Sequence, residues 1–172
     1  MKRNSRRLTF FLCLAGIAGL ICACRTKTEE DLVRDFVNRI AHQVEKKDVQ
    51  GLLRSLSEDY KDFEGRTKET TEAMVKDYFA RYKGIVVHVL STRVDRIEAP
   101  RAIIQTEAAI SSGAAEVFRK LVRASLDNYR FNFQLIKTGE SWQIQYAEWK
   151  YINLDELFPE SLTILRKIFK DF

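Results

Sequence analysis

Between Tyr129 and Tyr146 the chain alternates. Tyr129, Phe131, Phe133 and Leu135 are apolar, Arg130, Asn132 and Gln134 between them are polar, and after Lys137 to Ser141 the residues Trp142, Ile144 and Tyr146 resume the apolar phase. A period of two puts the rings on one side of a strand, and a short Gly-containing link joins two such strands as an antiparallel hairpin. A sheet patterned this way buries one face and wets the other, so the rest of the chain must supply a cover.

The segments ahead of the hairpin can supply it. Thr28-Glu-Glu-Asp31 has capping-box spacing, and Leu32, Val33, Phe36, Val37, Ile40 and Val44 recur at helical period, which predicts an amphipathic helix of about five turns. Asp48 caps a short second helix carrying Val49, Leu52, Leu53 and Leu56, and Asp59 to Gly65 reads as an irregular or extended link. A third helix begins near Thr67, buries Met74, Val75, Tyr78, Phe79 and Tyr82, and stops at Gly84, a residue suited to the left-handed C′ position. The pattern then turns strand-like from Ile85 to about Arg96 and, after Ala99-Pro100, from Ala102 to Ser111. Ala114 to Val122 fits two turns of helix or an extension of the following strand. From Glu160 to Phe172, after Pro159, the residues Leu162, Leu165, Ile168, Phe169 and Phe172 form a helical stripe. That stripe must cover the sheet, join a homodimer or lie on a membrane. The fold class is α+β: N-terminal helices on a curved antiparallel sheet, with an extra C-terminal helix.

Charge and cysteine content are uneven along the chain. Four of the 29 basic residues are Lys2, Arg3, Arg6 and Arg7, and no acid precedes Glu29, so the part after Cys24 holds 25 basic residues against 24 acidic ones. Its signs are mixed in nearly every window, which speaks against nucleic-acid binding. Cys13, Cys22 and Cys24 all lie at the start, so the later chain has no thiol for a disulfide or metal site. Met1 to Arg7 is cationic and Leu8 to Ile21 is apolar but shorter than the ~18 residues of a membrane span. An uncleaved signal anchor from Leu8 to Cys24 would place the domain on the same side, and Thr9 departs from the twin-arginine pattern after Arg6-Arg7. Ile21-Cys22-Ala23-Cys24 resembles the lipobox of bacterial lipoproteins. The resemblance implies cleavage before Cys24, acyl chains on it, and a membrane anchor in the cell envelope, on the periplasmic side in a Gram-negative cell. Arg25 in place of Asp hints at the outer membrane by the enterobacterial sorting pattern. The expected divisions are a signal peptide over 1–24, a tether over 25–28, a domain over 29–158 and the C-terminal helix over 159–172.

The order of elements, with a last hairpin reading Tyr-Arg-Phe-Asn-Phe-Gln-Leu and Gly-Glu-Ser-Trp-Gln-Ile, resembles the nuclear transport factor 2-like superfamily, which has a cystatin-like α+β fold. Lys-Asp-Val-Gln-Gly-Leu-Leu and Leu-Ser-Glu-Asp-Tyr look like its second helix and the segment leaving it, and the likeness runs from about Glu29 to Leu154. It implies a cone whose helices close over the sheet around an apolar pocket, used by isomerases, cyclases, dehydratases and many binding or assembly modules.

Candidate pocket residues are His88, Trp142, Tyr146 and Glu148. His88 lies in Ile85-Val-Val-His-Val-Leu90, apolar on both faces, so parity leaves it inward or outward. An inward imidazole suits general-base work. Glu148 continues the parity of Trp142, Ile144 and Tyr146, whereas Trp149 and Tyr151 have the opposite parity, which a bulge near Ala147 would reverse. His42 sits off the stripe of its helix, and Asp59, Tyr60 and Asp62 read as a turn. No metal, cofactor, nucleophile or phosphate-loop motif stands out. The expectation is a non-catalytic module holding a small apolar ligand or an envelope protein. The alternative is a cofactor-independent enzyme for proton transfer, isomerisation or hydration, using His88 and Glu148.

Overall fold

The computed structural model describes residues 27–113 and 127–168. The leader with Cys24, the expected helix from Ala114 to Val122, and Phe169 and Phe172 of the tail stripe fall outside them.

Helix α1, Glu29–Glu45, starts where the Thr28 hydroxyl accepts the Asp31 N–H at 3.1 Å and the Asp31 carboxylate accepts the Thr28 N–H at 3.0 Å. Helix α2, Val49–Arg54, is capped by Asp48 through the Gly51 N–H at 2.8 Å. A Cβ on Gly51 would come within 2.2 Å of that carboxylate, so a side chain there would push the capping group aside. Leu56 does not extend α2. It opens strand β1, Leu56–Asp62, because the Ile144 N–H donates to the Ser55 carbonyl at 2.8 Å and draws the chain into the sheet. Of the two readings of Asp59 to Gly65, irregular or extended, the extended one holds as far as Asp62.

Helix α3, Lys68–Arg81, is capped by Thr67 as the sequence implies, but Gly84 is not its left-handed terminator. The helix ends at Tyr82 in an extended conformation, and Lys47 Nζ donates to the carbonyls of Phe79, at 2.9 Å, and Tyr82. A cation from the α1–α2 link thus satisfies the helix end that glycine was expected to close. Gly84 instead opens β2, Gly84–Glu98, followed by β3, Arg101–Gly113, β4, Asp127–Thr138, and β5, Ser141–Tyr151. Ala99–Pro100, with a cis peptide, closes the β2–β3 hairpin, and Gly139, at φ 62°, closes β4–β5. A 3-10 turn, Leu154–Glu156, leads into helix α4, Pro159–Ile168.

The strands lie in the order β1-β5-β4-β3-β2, antiparallel throughout except that β1 runs parallel to β5. The sheet is mixed, not purely antiparallel. Register shifts in β2 and β5 insert extra residues that bend it. Helices α1 to α3 cover one face, here the inner one. Val33, Phe36 and Val37 of α1 pack there with Leu53, Leu56, Ile104, Leu135, Trp142 and Ile144. Helix α4 lies on the other face, where Leu165 joins Leu90, Ala109, Ile152 and Leu157. Of the three options for the tail, its described part covers its own sheet.

Candidate functional site

The register decides which side chains share the inner face. Paired residues of antiparallel strands point the same way, so Leu135 and Ile144, Phe133 and Ala147, Phe131 and Trp149, and Tyr129 and Tyr151 make successive inner rows. Between Ile144 and Tyr146 the register slips by one, leaving Gln145 as the extra residue. The bulge lies two residues earlier than the one contemplated near Ala147, and it brings Trp149 and Tyr151 inward while turning Tyr146 and Glu148 outward.

Along these rows the filling changes. At the hairpin end Leu135, Trp142 and Ile144 are buried beneath α1. Toward the start of β4, Phe133, Phe131, Trp149 and Tyr129 are half-buried and Tyr151 is 57% exposed. Phe131 and Phe133 stack at 5.7 Å, Tyr129 lies 6.0 Å from both Phe131 and Tyr151, and Phe63 meets Trp149 edge-on at 4.9 Å. Tyr78 and Tyr82, 4.6 Å apart, come from α3, whose packing on the sheet is fixed by Val75 and Phe79 against Ile85. Together these rings make a half-buried aromatic surface on the inner face of β4 and β5, with Tyr78 and Tyr82 close to Tyr129 at its edge.

Its polar groups are few. Burial, and then the Asp127 carboxylate and neighbouring tyrosines, raise the pKa of the Tyr129 phenol above its ordinary value. At neutral pH that phenol is a hydrogen-bond donor and acceptor, with no appreciable phenolate to act as base. Arg66 stands over Trp149 at 5.2 Å, and its guanidinium is held by Asp62 at 2.6 Å and by Glu64. Asp62 is fully buried and also accepts the N–H groups of Glu64 and Arg66, so it organises the turn after β1. The expected turn is thus partly right: Tyr60 is core and Asp62 is the turn's anchor.

The four candidate pocket residues do not meet. Trp142 is packed in the core at 3% exposure, with Lys137 above its ring at 5.7 Å. His88 pairs with Ala109 and alternates with Val87 and Val89, which pack inward, so its position is on the outer face. Tyr146 pairs with Gln134 on that face, and Glu148 accepts the Asn132 amide there at 2.6 Å. His42 projects from α1 at 61% side-chain exposure. The bulge separates Trp142 from Tyr146 and Glu148, and the apolar run around His88 serves two hydrophobic layers. Phe63, Trp149 and Arg66 were not assigned to the site. The one trace of them in the sequence is the break from Trp142 and Ile144 to Ala147, Trp149 and Tyr151.

No family model matches the chain, and a search of curated proteins finds no relative. Solved structures do match. A protein from Novosphingobium aromaticivorans, named provisionally as a scytalone dehydratase, has a TM-score of 0.63 at 11% identity over 73% of this chain and 85% of its own. Bd1075 of Bdellovibrio bacteriovorus gives 0.59 at 19% identity, and the 73% of this chain that matches spans only 41% of that protein. A nuclear transport factor 2-like protein from Cytophaga hutchinsonii gives 0.56 at 16% identity over 73% of this chain and all of its own, 100%. Identities this low speak to architecture alone. With helices on one face of a five-stranded bent sheet in the order 1-5-4-3-2, the chain has the nuclear transport factor 2-like fold.

Proposed function

We propose that this is a lipid-anchored envelope protein whose domain binds a small apolar ligand carrying an aromatic or other flat ring, without turning it over. The observation that carries the binding reading is the half-open ring surface of Tyr129, Phe131, Phe133 and Trp149, continuous with a fully packed core. Apolar walls with one or two polar contacts suit such a ligand, and the Tyr129 hydroxyl can orient it. Binding is favoured over turnover because a proton-transfer site needs a base near its working pH. The Tyr129 phenol is shifted away from that range, and His88 and Glu148 sit across the sheet. The anchor reading rests on the leader and Ile21-Cys22-Ala23-Cys24.

Titration with a naphthalene-bearing fluorescent probe tests the aromatic surface. Removing a phenyl ring that packs on the ligand forfeits ~1.5–3 kcal/mol, so Phe131→Ala should weaken binding about tenfold or more. Tyr146→Ala, on the outer face, should leave it unchanged. Equal effects of the two substitutions would overturn the assignment. For the anchor, cells fed a clickable fatty acid should label the wild-type chain and not Cys24→Ser; equal labelling would refute it.

A further inference from the structure

One end of the domain gathers three chain turns. Lys137 Nζ bonds Glu29 at 2.5 Å, which ties the start of α1 to the β4–β5 hairpin, and the Lys137 N–H donates to the Pro100 carbonyl at 2.7 Å, which ties that hairpin to β2–β3. On the outer face beside these tips a groove of about 300 Å³ is lined by Arg96, Glu98, Arg101, Ile103, Gln134 and Gln145. Ile103 is 42% exposed in it. Arg96 reaches Glu98 only at 3.8 Å, and among the described residues Arg101 has no acidic partner within ion-pair distance. The aromatic surface lies toward the opposite end, near Tyr129 and Tyr151, across the length of strands that rise ~3.3 Å per residue.

We infer that the hairpin end is a docking surface for the bilayer itself, with Arg96 and Arg101 meeting the phosphates of anionic lipid headgroups, so that the aromatic surface faces away from the membrane. The inference rests on the lipid-anchor reading, through the reach of the chain. Four residue steps separate Cys24 from Thr28, the N-cap of α1, and a fully extended chain covers at most ~3.3–3.6 Å per step. A lipidated Cys24 therefore holds the α1 start, and the hairpin tips bonded to it, within roughly 15 Å of the headgroups. Guanidinium groups pair with phosphate oxygens in a bidentate manner, and Ile103 beside them offers a side chain to the interface.

No cysteine follows Cys24, whose thiol the acyl anchor would occupy, so one added cysteine gives a unique label site. The acylated protein is reconstituted in phosphatidylethanolamine–phosphatidylglycerol vesicles with a fluorophore at Glu140→Cys, on the hairpin end, or at Lys83→Cys, at the aromatic end. Quencher lipids with the quenching group at the headgroup should strongly suppress the Glu140 probe and spare the Lys83 probe. The double substitution R96E and R101E should cut the quenching of the Glu140 probe severalfold while leaving acylation, read by mass spectrometry, and the tether intact. Equal quenching of the two probes in the acylated wild-type protein, or quenching of the Glu140 probe that charge reversal leaves unchanged, overturns the docking surface alone. A mass showing unmodified Cys24 in the wild type overturns the anchor and the docking surface with it.

Discussion

Tyr60 shows how much a single position can conceal. Its ring is 4% exposed in the inner core, and burial, followed by the Asp62 carboxylate nearby, pushes its phenol up to about 12. In the unfolded chain the same group titrates near ~10. Between those values the folded state holds a proton that the unfolded state has lost, so stability falls as pH rises through that window. A shift of this size corresponds to roughly 2–3 kcal/mol of stability, present below about pH 10 and gone above about pH 12. Urea midpoints followed from about pH 9 to about pH 12 should therefore drop more steeply for the wild type than for Tyr60→Phe. Parallel curves would show that the phenol is wetter than its packing implies. The sequence shows Tyr60 only as part of a polar cluster with Asp59 and Asp62. Its burial follows from the pairing of β1 with β5, which no local pattern announces.

At the scale of elements, the pattern was legible wherever a cap or a period acts locally. Thr28, Asp48 and Thr67 cap the three helices as their spacing implies, and the alternation from Tyr129 to Leu135 is strand β4. What failed was phase. Gln145 is the bulge, yet Tyr146 after it suits either face, so the alternation seems to continue from Trp142 through Glu148 when it has already reversed. The candidate residues inherited that phase, so Trp149 and Tyr151 of the inner aromatic surface were not among them. Contacts between elements were equally hidden. Glu107 of β3 is fully buried, accepts Arg130 Nε at 2.9 Å and Nη2 at 2.6 Å, and takes the Phe158 N–H at 2.9 Å. Arg130 also donates to the Glu156 carbonyl and stands over the Phe158 ring at 4.4 Å, so this pair fastens the approach to α4 onto the sheet. Glu107→Gln leaves a half-buried guanidinium without its counter-charge, a change of the kind that costs roughly 3–5 kcal/mol. Urea unfolding should register it, and a loss below about 1 kcal/mol, the range of exposed pairs, would contradict the role given to Glu107.

The described residues form a single sheet with a different cover on each side. Composition and helical period pointed to the α+β class and to the inner cover, because a one-sided apolar stripe on α1 has to meet an apolar sheet face. The outer cover was left open by the sequence. The stripe of α4 has no intrinsic address, and only the pocket made by Leu90, Ala109, Ile152 and Leu157 receives Leu165. The Ser161 hydroxyl meets Ser91 at 2.9 Å and Arg93 clamps Glu160 through two bonds of 2.6 and 3.0 Å, which sets the helix along β2.

Strand β1 has its sheet partner at the far end of the chain. The Gln143 amide reaches the Arg54 carbonyl across 89 positions, and Leu56 lies beside Ile144. A ribosome that has delivered every helix of the inner layer has therefore still not delivered the strand that holds β1. Pairings this distant in sequence are slow to form, so the sheet closes only after residues 141–151 have emerged. On the export route proposed above, that delay would keep the chain loose enough to thread a membrane pore until its last described strand completes the sheet.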